Sequence, residues 1–157
     1  MYTTYSLTHD PISLDALVSK VGSNQAGAIS TFIGTTRDTF KGRRVLRLEY
    51  EAYEPMALQE LERLGKEASN RWKDPPLLAV AITHRLGLVP PGEASVVIAV
   101  ASAHRRESLE AVHYLIDALK ESVPIWKKEI LEGEDGSEEG LWKANAPPSP
   151  EESISQE

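Results

Sequence analysis

The 157-residue sequence has no cysteine, which excludes disulfides, thiolate metal ligands and a cysteine nucleophile. It also lacks any apolar run approaching the roughly 18 residues that a membrane-spanning helix needs. The stretch from Met1 to Asp10 has no basic region followed by an apolar one, so a secretory signal is not expected and a cytoplasmic location is. Four histidines (His9, His84, His104 and His113) show no His-x-x-x-His spacing, so no metal site is expected. No Gly-x-Ser-x-Gly elbow is present, which removes support for a serine hydrolase of that type. Phe32-Ile33-Gly34-Thr35-Thr36 lacks the Gly-Lys-Ser/Thr ending of a phosphate loop.

A basic excess is missing too. The formal charge of -7 is unevenly distributed: residues 129–157 hold nine Asp/Glu against one Lys, and residues 1–128 hold 16 Lys/Arg against 15 Asp/Glu. The body is near neutral and the acidity belongs to the C-terminal end. A general nucleic-acid binder carries a clear cationic surplus, so that class is not expected.

What is present suits one domain with its own core. Asp10-Pro11 offers a helix start, and Leu14, Leu17, Val18 and Val21 follow helical spacing. Residues 26–36 are small, β-branched and apolar and read as a buried strand. A polar loop from Arg37 to Arg44 leads to a second strand over 45–53, with Leu46, Leu48, Tyr50 and Ala52 on one face, and the two strands are expected to form a hairpin. Pro55 opens a helix whose apolar face carries Leu58, Leu61, Leu64, Ala68 and Trp72. Residues 77–83 form a further strand with a short continuation over 84–88. The run Ser95 to Ala101 is nearly all apolar, as a central strand requires. The amphipathic helix after it places Leu109, Val112, Ile116, Leu119 and Val123 on one stripe. Helices and strands mix without strict alternation, which favours an α+β fold with a largely antiparallel sheet.

The residues with chemical potential cluster around that last helix. His104 and Arg105 sit at its start, where backbone N–H groups favour anions; equally, the histidine caps the helix and the arginine solvates the surface. Lys120 lies in its last turn and Lys127 beyond the Pro124 break. A partly desolvated lysine works as acid, base or nucleophile, although spacing alone describes both more simply as C-terminal cations favoured by the helix dipole. Arg37, Lys41, Arg43 and Arg44 either close over an anion or form a solvated tip, with Phe40 exposed beside them. His84-Arg85 repeats the His-Arg pairing at another strand end, where capping explains it.

Several stretches in order carry more than any one of them. Phe32-x-Gly34-x-x-Arg37, Leu48-Glu49-Tyr50-Glu51-Ala52-Tyr53, His84-Arg85-x-Gly87, Ser102-Ala103-His104-Arg105 and Leu119-Lys120-x-x-x-Pro124-x-Trp126-Lys127-Lys128-Glu129 together resemble the large, catalytic subunit family of molybdopterin synthase, over about residues 10 to 145. That resemblance implies an α/β hammerhead-type fold in one domain, 1–145; composition, not the resemblance, marks the acidic, Pro/Ser-rich tail over 146–157, which is expected to be disordered. It implies a dimer in which each copy also binds a small ubiquitin-like subunit, two large with two small. The small subunit's C-terminal Gly-Gly carries a thiocarboxylate, and its sulfur goes to cyclic pyranopterin monophosphate to build the dithiolene of molybdopterin, with no metal or other cofactor.

Carried over by motif, Lys120 and Lys127 are the catalytic lysines, and Arg37, His104, Arg105, Lys128 and Glu129 join them in binding substrate. Pro124 would turn Lys127 back toward Lys120. The acidic segment 129–140 departs from the family pattern and reads as a solvated spacer, with shielding of the pocket as the alternative. Two rival readings are a scaffold that holds the small protein without chemistry, and a cyclic-phosphate hydrolase that needs no partner.

Overall fold

The computed structural model of the protein describes residues 1–144; the expected tail over 146–157 lies outside them. The elements in chain order are β1 (Tyr2–Thr8), α1 (Leu14–Val21), β2 (Ala28–Thr35), β3 (Thr39–Phe40), β4 (Arg43–Ala52), α2 (Glu54–Arg71), β5 (Leu77–Arg85), β6 (Gly87–Val89), β7 (Ala94–Ser102), α3 (Arg105–Ser122), β8 (Ile125–Glu132) and β9 (Glu138–Ala144). They make an α+β fold with two sheets. The first has the order β1-β5-β7-β2, and the second runs β3-β4-β8-β9 with β6 also paired to β4. Only β1 and β5 run parallel; the other pairings are antiparallel. No helix among the described residues is long and apolar enough to cross a membrane.

Strand β7 is central, between β5 and β2, and its side chains alternate in size. Val96, Ile98 and Val100 join the main core with α2 and α3, whereas Val97, Ala99 and Ala101 meet Leu17 and Val21 of α1 on the opposite face. Bulky β-branched residues fill the deep side, and on the other Ala99 and Ala101 let a two-turn helix approach closely. On α2, Gly65 plays a comparable part, because a Cβ there would fall 1.6 Å from the Tyr5 hydroxyl of β1.

Several expectations are corrected. The first helix starts after Ser13, whose Oγ accepts the Ala16 N–H at 3.2 Å, not at Asp10-Pro11. Residues 26–36 and 45–53 do not form a hairpin: β2 pairs with β7, and β4 with β8. The chain crosses between the sheets at Thr36, which is tied by backbone hydrogen bonds to Gly92 and Glu93, and it reaches β4 through a bond from the Val45 N–H to the Asp38 carbonyl. The hairpin that does form is β3–β4, turned by Lys41 and Gly42, both at positive φ. A register shift between Val45 and Arg47 buries Val45 and leaves Leu46 half-exposed. On the helices the buried stripes are offset from those expected. Ala57 replaces Leu58 on α2, and Ser108, Ala111 and Leu115 replace Leu109 on α3.

The acidic segment is not a spacer. It belongs to the β8–β9 hairpin, and its carboxylates meet the arginines of β4: Glu138 accepts from Nη1 and Nη2 of Arg47, both at 3.0 Å, Glu139 pairs with Arg43 at 2.7 Å, and Glu132 with Arg44 at 3.9 Å. The uneven charge along the sequence is thus matched in space.

Candidate active site

Where the two sheets and the C-terminal end of α3 meet, they enclose a pocket of about 410 Å³. Its first wall is β2 with the following loop: Phe32, Gly34, Thr35 and Arg37. Phe40, Leu48 and Tyr50 form the wall from the second sheet, and His84 closes one side. Lys120 enters from the last turn of α3, and Lys127 and Glu129 from β8. Val123 ends the helix in an extended conformation and β8 begins at Ile125, so the break at Pro124 returns the chain toward Lys120 and into the same pocket.

Alternation along β8 sorts its charges. Ile125 and Leu131 are buried in the core, and Lys127 and Glu129 share their face. Glu129 is 5% exposed; its Oε1 lies 3.7 Å from Lys127 Nζ and accepts a hydrogen bond from Lys143 Nζ at 3.1 Å, while Oε2 is buried without a partner among the described residues. Burial pushes the Lys127 ammonium below its usual range. Glu129 opposes that shift, and Lys143, Lys120 and Arg37 add to it by repulsion. Lys128 faces the other way, its Nζ 5.4 Å from the Trp142 ring centroid and its stem lying across Gly140, where a Cβ would be 2.2 Å from Lys128 Cε. It does not line the pocket.

His104 and Arg105 do not line it either. They occupy the opposite end of α3, whose 18 residues span roughly 27 Å at the helical rise. The histidine does not cap the helix by its side chain. That work falls to Ser102, fully buried, whose Oγ accepts the Ser108 N–H at 3.1 Å and donates to the His104 carbonyl. His104 and Arg105 are left exposed, and among the described residues neither side chain makes a hydrogen bond or ion pair.

Three features in or against the pocket wall escape sequence reasoning. Phe40 is half-buried in the wall rather than exposed, with Lys143 Nζ 3.6 Å from its ring centroid. His84 is not a cap but a buried residue: its Nδ1–H donates to the Arg85 carbonyl at 2.8 Å, its ring meets Tyr50 edge-on, and burial lowers it to about 4, keeping it neutral. A histidine closing an apolar strand was the available signal. Lys143 had none, because β9 itself was not anticipated.

The fold and pocket thus define a class: a two-sheet α+β protein whose converging cations suit an anionic small molecule and proton transfer to or from it. Comparison with known proteins is specific. The MoaE protein family model matches residues 7–122. The catalytic subunit 2 of molybdopterin synthase from Aedes aegypti is 53% identical over 140 residues, which is 88% of this chain and 87% of that one. The crystal structure of molybdopterin synthase from Staphylococcus aureus superposes with a TM-score of 0.80 at 36% identity, covering 87% of this chain and 94% of that one. A complex of subunits 1 and 2 of molybdopterin-converting factor from Helicobacter pylori shares the fold, with a TM-score of 0.66 at 20% identity over 85% of this chain and 87% of that one. The chain belongs to the MoaE family, the catalytic subunits of molybdopterin synthase, enzymes of molybdenum cofactor biosynthesis.

Proposed function

We propose that this pocket transfers sulfur from the thiocarboxylated C-terminus of a small ubiquitin-like subunit to cyclic pyranopterin monophosphate, on an α/β hammerhead scaffold and in the cytoplasm. The observation that carries the reading is the meeting of Arg37, Lys120 and Lys127 in one pocket beside a buried carboxylate. Replacing oxygen by sulfur and opening the cyclic phosphate both develop negative charge on oxygen. Arg37 and Lys120 hold and neutralise that charge in a partly closed site. Lys127, held below the usual lysine range by burial, is suited to take up and release a proton.

The small partner is proposed by analogy with the two-subunit complex from Helicobacter pylori. A second copy of this chain completes the site. The free edge of β2 carries exposed Ile29 and Ile33 and ends at the pocket. Its other end, Ala28, lies opposite Ser102 and next to the His104-Arg105 turn. Two β2 edges paired antiparallel would carry each copy's His104 and Arg105 toward the other's Arg37, supplying the anion contacts that one chain leaves 27 Å away by the helical rise.

The test is a reconstituted reaction with the purified chain, the thiocarboxylated small subunit and the cyclic pterin. Lys120→Ala and Lys127→Ala are each expected to lower the rate on the order of 10² to 10⁴-fold while the fold persists. Full activity in both variants, or product formed without the small subunit, would overturn the reading.

A further inference from the structure

We infer that Lys143 is a positioning residue of this site: it competes with Lys127 for one oxygen of Glu129 and packs on the Phe40 wall, so that it controls how much of the carboxylate Lys127 can use. The inference rests on the proposed role of Lys127 and adds a residue from a strand that no motif marked.

Three contacts support it. Lys143 Nζ is the closer of the two ammonium groups to Glu129 Oε1, at 3.1 Å against 3.7 Å for Lys127. Glu129 is almost fully buried and its second oxygen has no partner among the described residues, so one oxygen serves both lysines. Lys143 Nζ also sits 3.6 Å from the centroid of Phe40, within cation–π range, which ties β9 to the pocket wall. The β9 strand is held in register by its ladder with β8 and by the Glu138–Arg47 and Glu139–Arg43 pairs, so Lys143 is presented from a fixed backbone.

The electrostatic consequence follows from the groups facing Lys127. Glu129 on its own strand favours the charged ammonium. Lys143 from β9, Lys120 from α3 and Arg37 from the loop after β2 disfavour it, and burial does so most. Tyr50 of β4 and neutral His84 of β5 also line the pocket but bring no charge near pH 7. Removing Lys143 therefore acts twice in the same direction: one repelling cation disappears, and Glu129 becomes free to pair with Lys127 alone. Lys127 then keeps its proton to higher pH.

The experiment is an NMR titration of the lysine ε-methylenes in the full chain, alongside pH–rate profiles of the reconstituted reaction. Lys143→Met is expected to raise the Lys127 titration by about one pH unit and to move the acid limb of kcat by the same amount, about tenfold in rate on that limb, with KM little changed. Lys143→Arg keeps the charge and restores both. Glu129→Gln, with Lys143 in place, moves the Lys127 titration down and serves if Lys143→Met does not fold. An unmoved Lys127 titration in Lys143→Met, or equal behaviour of the Met and Arg variants, overturns the inference. A titration that moves while the rate profile stays put upholds the coupling through Glu129 and overturns instead the proposed role of Lys127 in the reaction.

Discussion

Lys127 carries its ammonium on a strand face shared with buried Ile125, Glu129 and Leu131, and that placement explains its chemistry better than its neighbours in sequence do. Partial burial and three nearby cations disfavour its charge, against one carboxylate that favours it. A profile of kcat against pH should therefore show an acid limb below the ordinary lysine range, because the neutral amine is the form able to accept a proton. His84 offers a separate reading at the same scale. Burial lowers it to about 4 from 6.5. Between those values the unfolded chain binds more protons than the folded one, so stability falls as pH drops through that window and is flat below it. At pH 5 this amounts to about 2 kcal/mol relative to pH 7. Urea unfolding at the two pH values should show that loss, and His84→Gln should remove this part of the pH dependence whatever its own stability. Identical pH dependence in both proteins would count against a neutral, buried His84.

Strands and helices here are shaped by close approaches that hydrophobic period alone does not describe. Gly65 lies mid-helix in α2, where alanine is ordinarily favoured by about 1 kcal/mol. With the Tyr5 hydroxyl in the space of a Cβ, Gly65→Ala is instead expected to destabilise by about 1–3 kcal/mol. Tyr5→Phe should relieve part of that cost, measured as a double-mutant cycle in denaturant; strict additivity would contradict the contact. The β8–β9 hairpin depends partly on the arginines of β4. Each exposed pair contributes roughly 0.2–1 kcal/mol and weakens with salt. Arg47→Ala should therefore loosen amide-exchange protection of β9 at low salt more than at high salt. Much of this level was legible beforehand. The central strand over 95–101 and the helix around 109–123 are where their patterns place them, whereas Leu58 and Leu109 face out because small residues one position away fit the crowded interfaces.

At the scale of the whole molecule, the groups proposed to bind the anion lie in two places. Arg37, Lys120 and Lys127 share a pocket, and His104 with Arg105 occupies the far end of the same helix. If two copies pair along β2, Ile29→Glu, at an exposed position outside the pocket lining, should shift sedimentation from dimer to monomer and lose activity with the pocket intact. Mixing Arg105→Ala with Lys127→Ala should restore activity, since a hybrid dimer holds one complete site of two; random exchange predicts about a quarter of wild-type rate. No recovery on mixing would mean that one chain supplies the whole site or that the copies do not exchange.

The residue order by itself determined that three helices form and roughly where, the central strand and the ordered motifs that mark the family, because these depend on local periodicity and on residue type. It left open which cations converge. Whether Lys127 and Lys128 face one pocket depends on strand alternation in β8, and whether His104 joins them depends on the length of α3. Only the tertiary structure decided that β2 and β4 part into different sheets, that His84 is buried and neutral, and that Lys143 reaches Glu129. Those outcomes come from pairing between segments far apart in sequence, where a one-residue change of register turns a side chain from core to solvent.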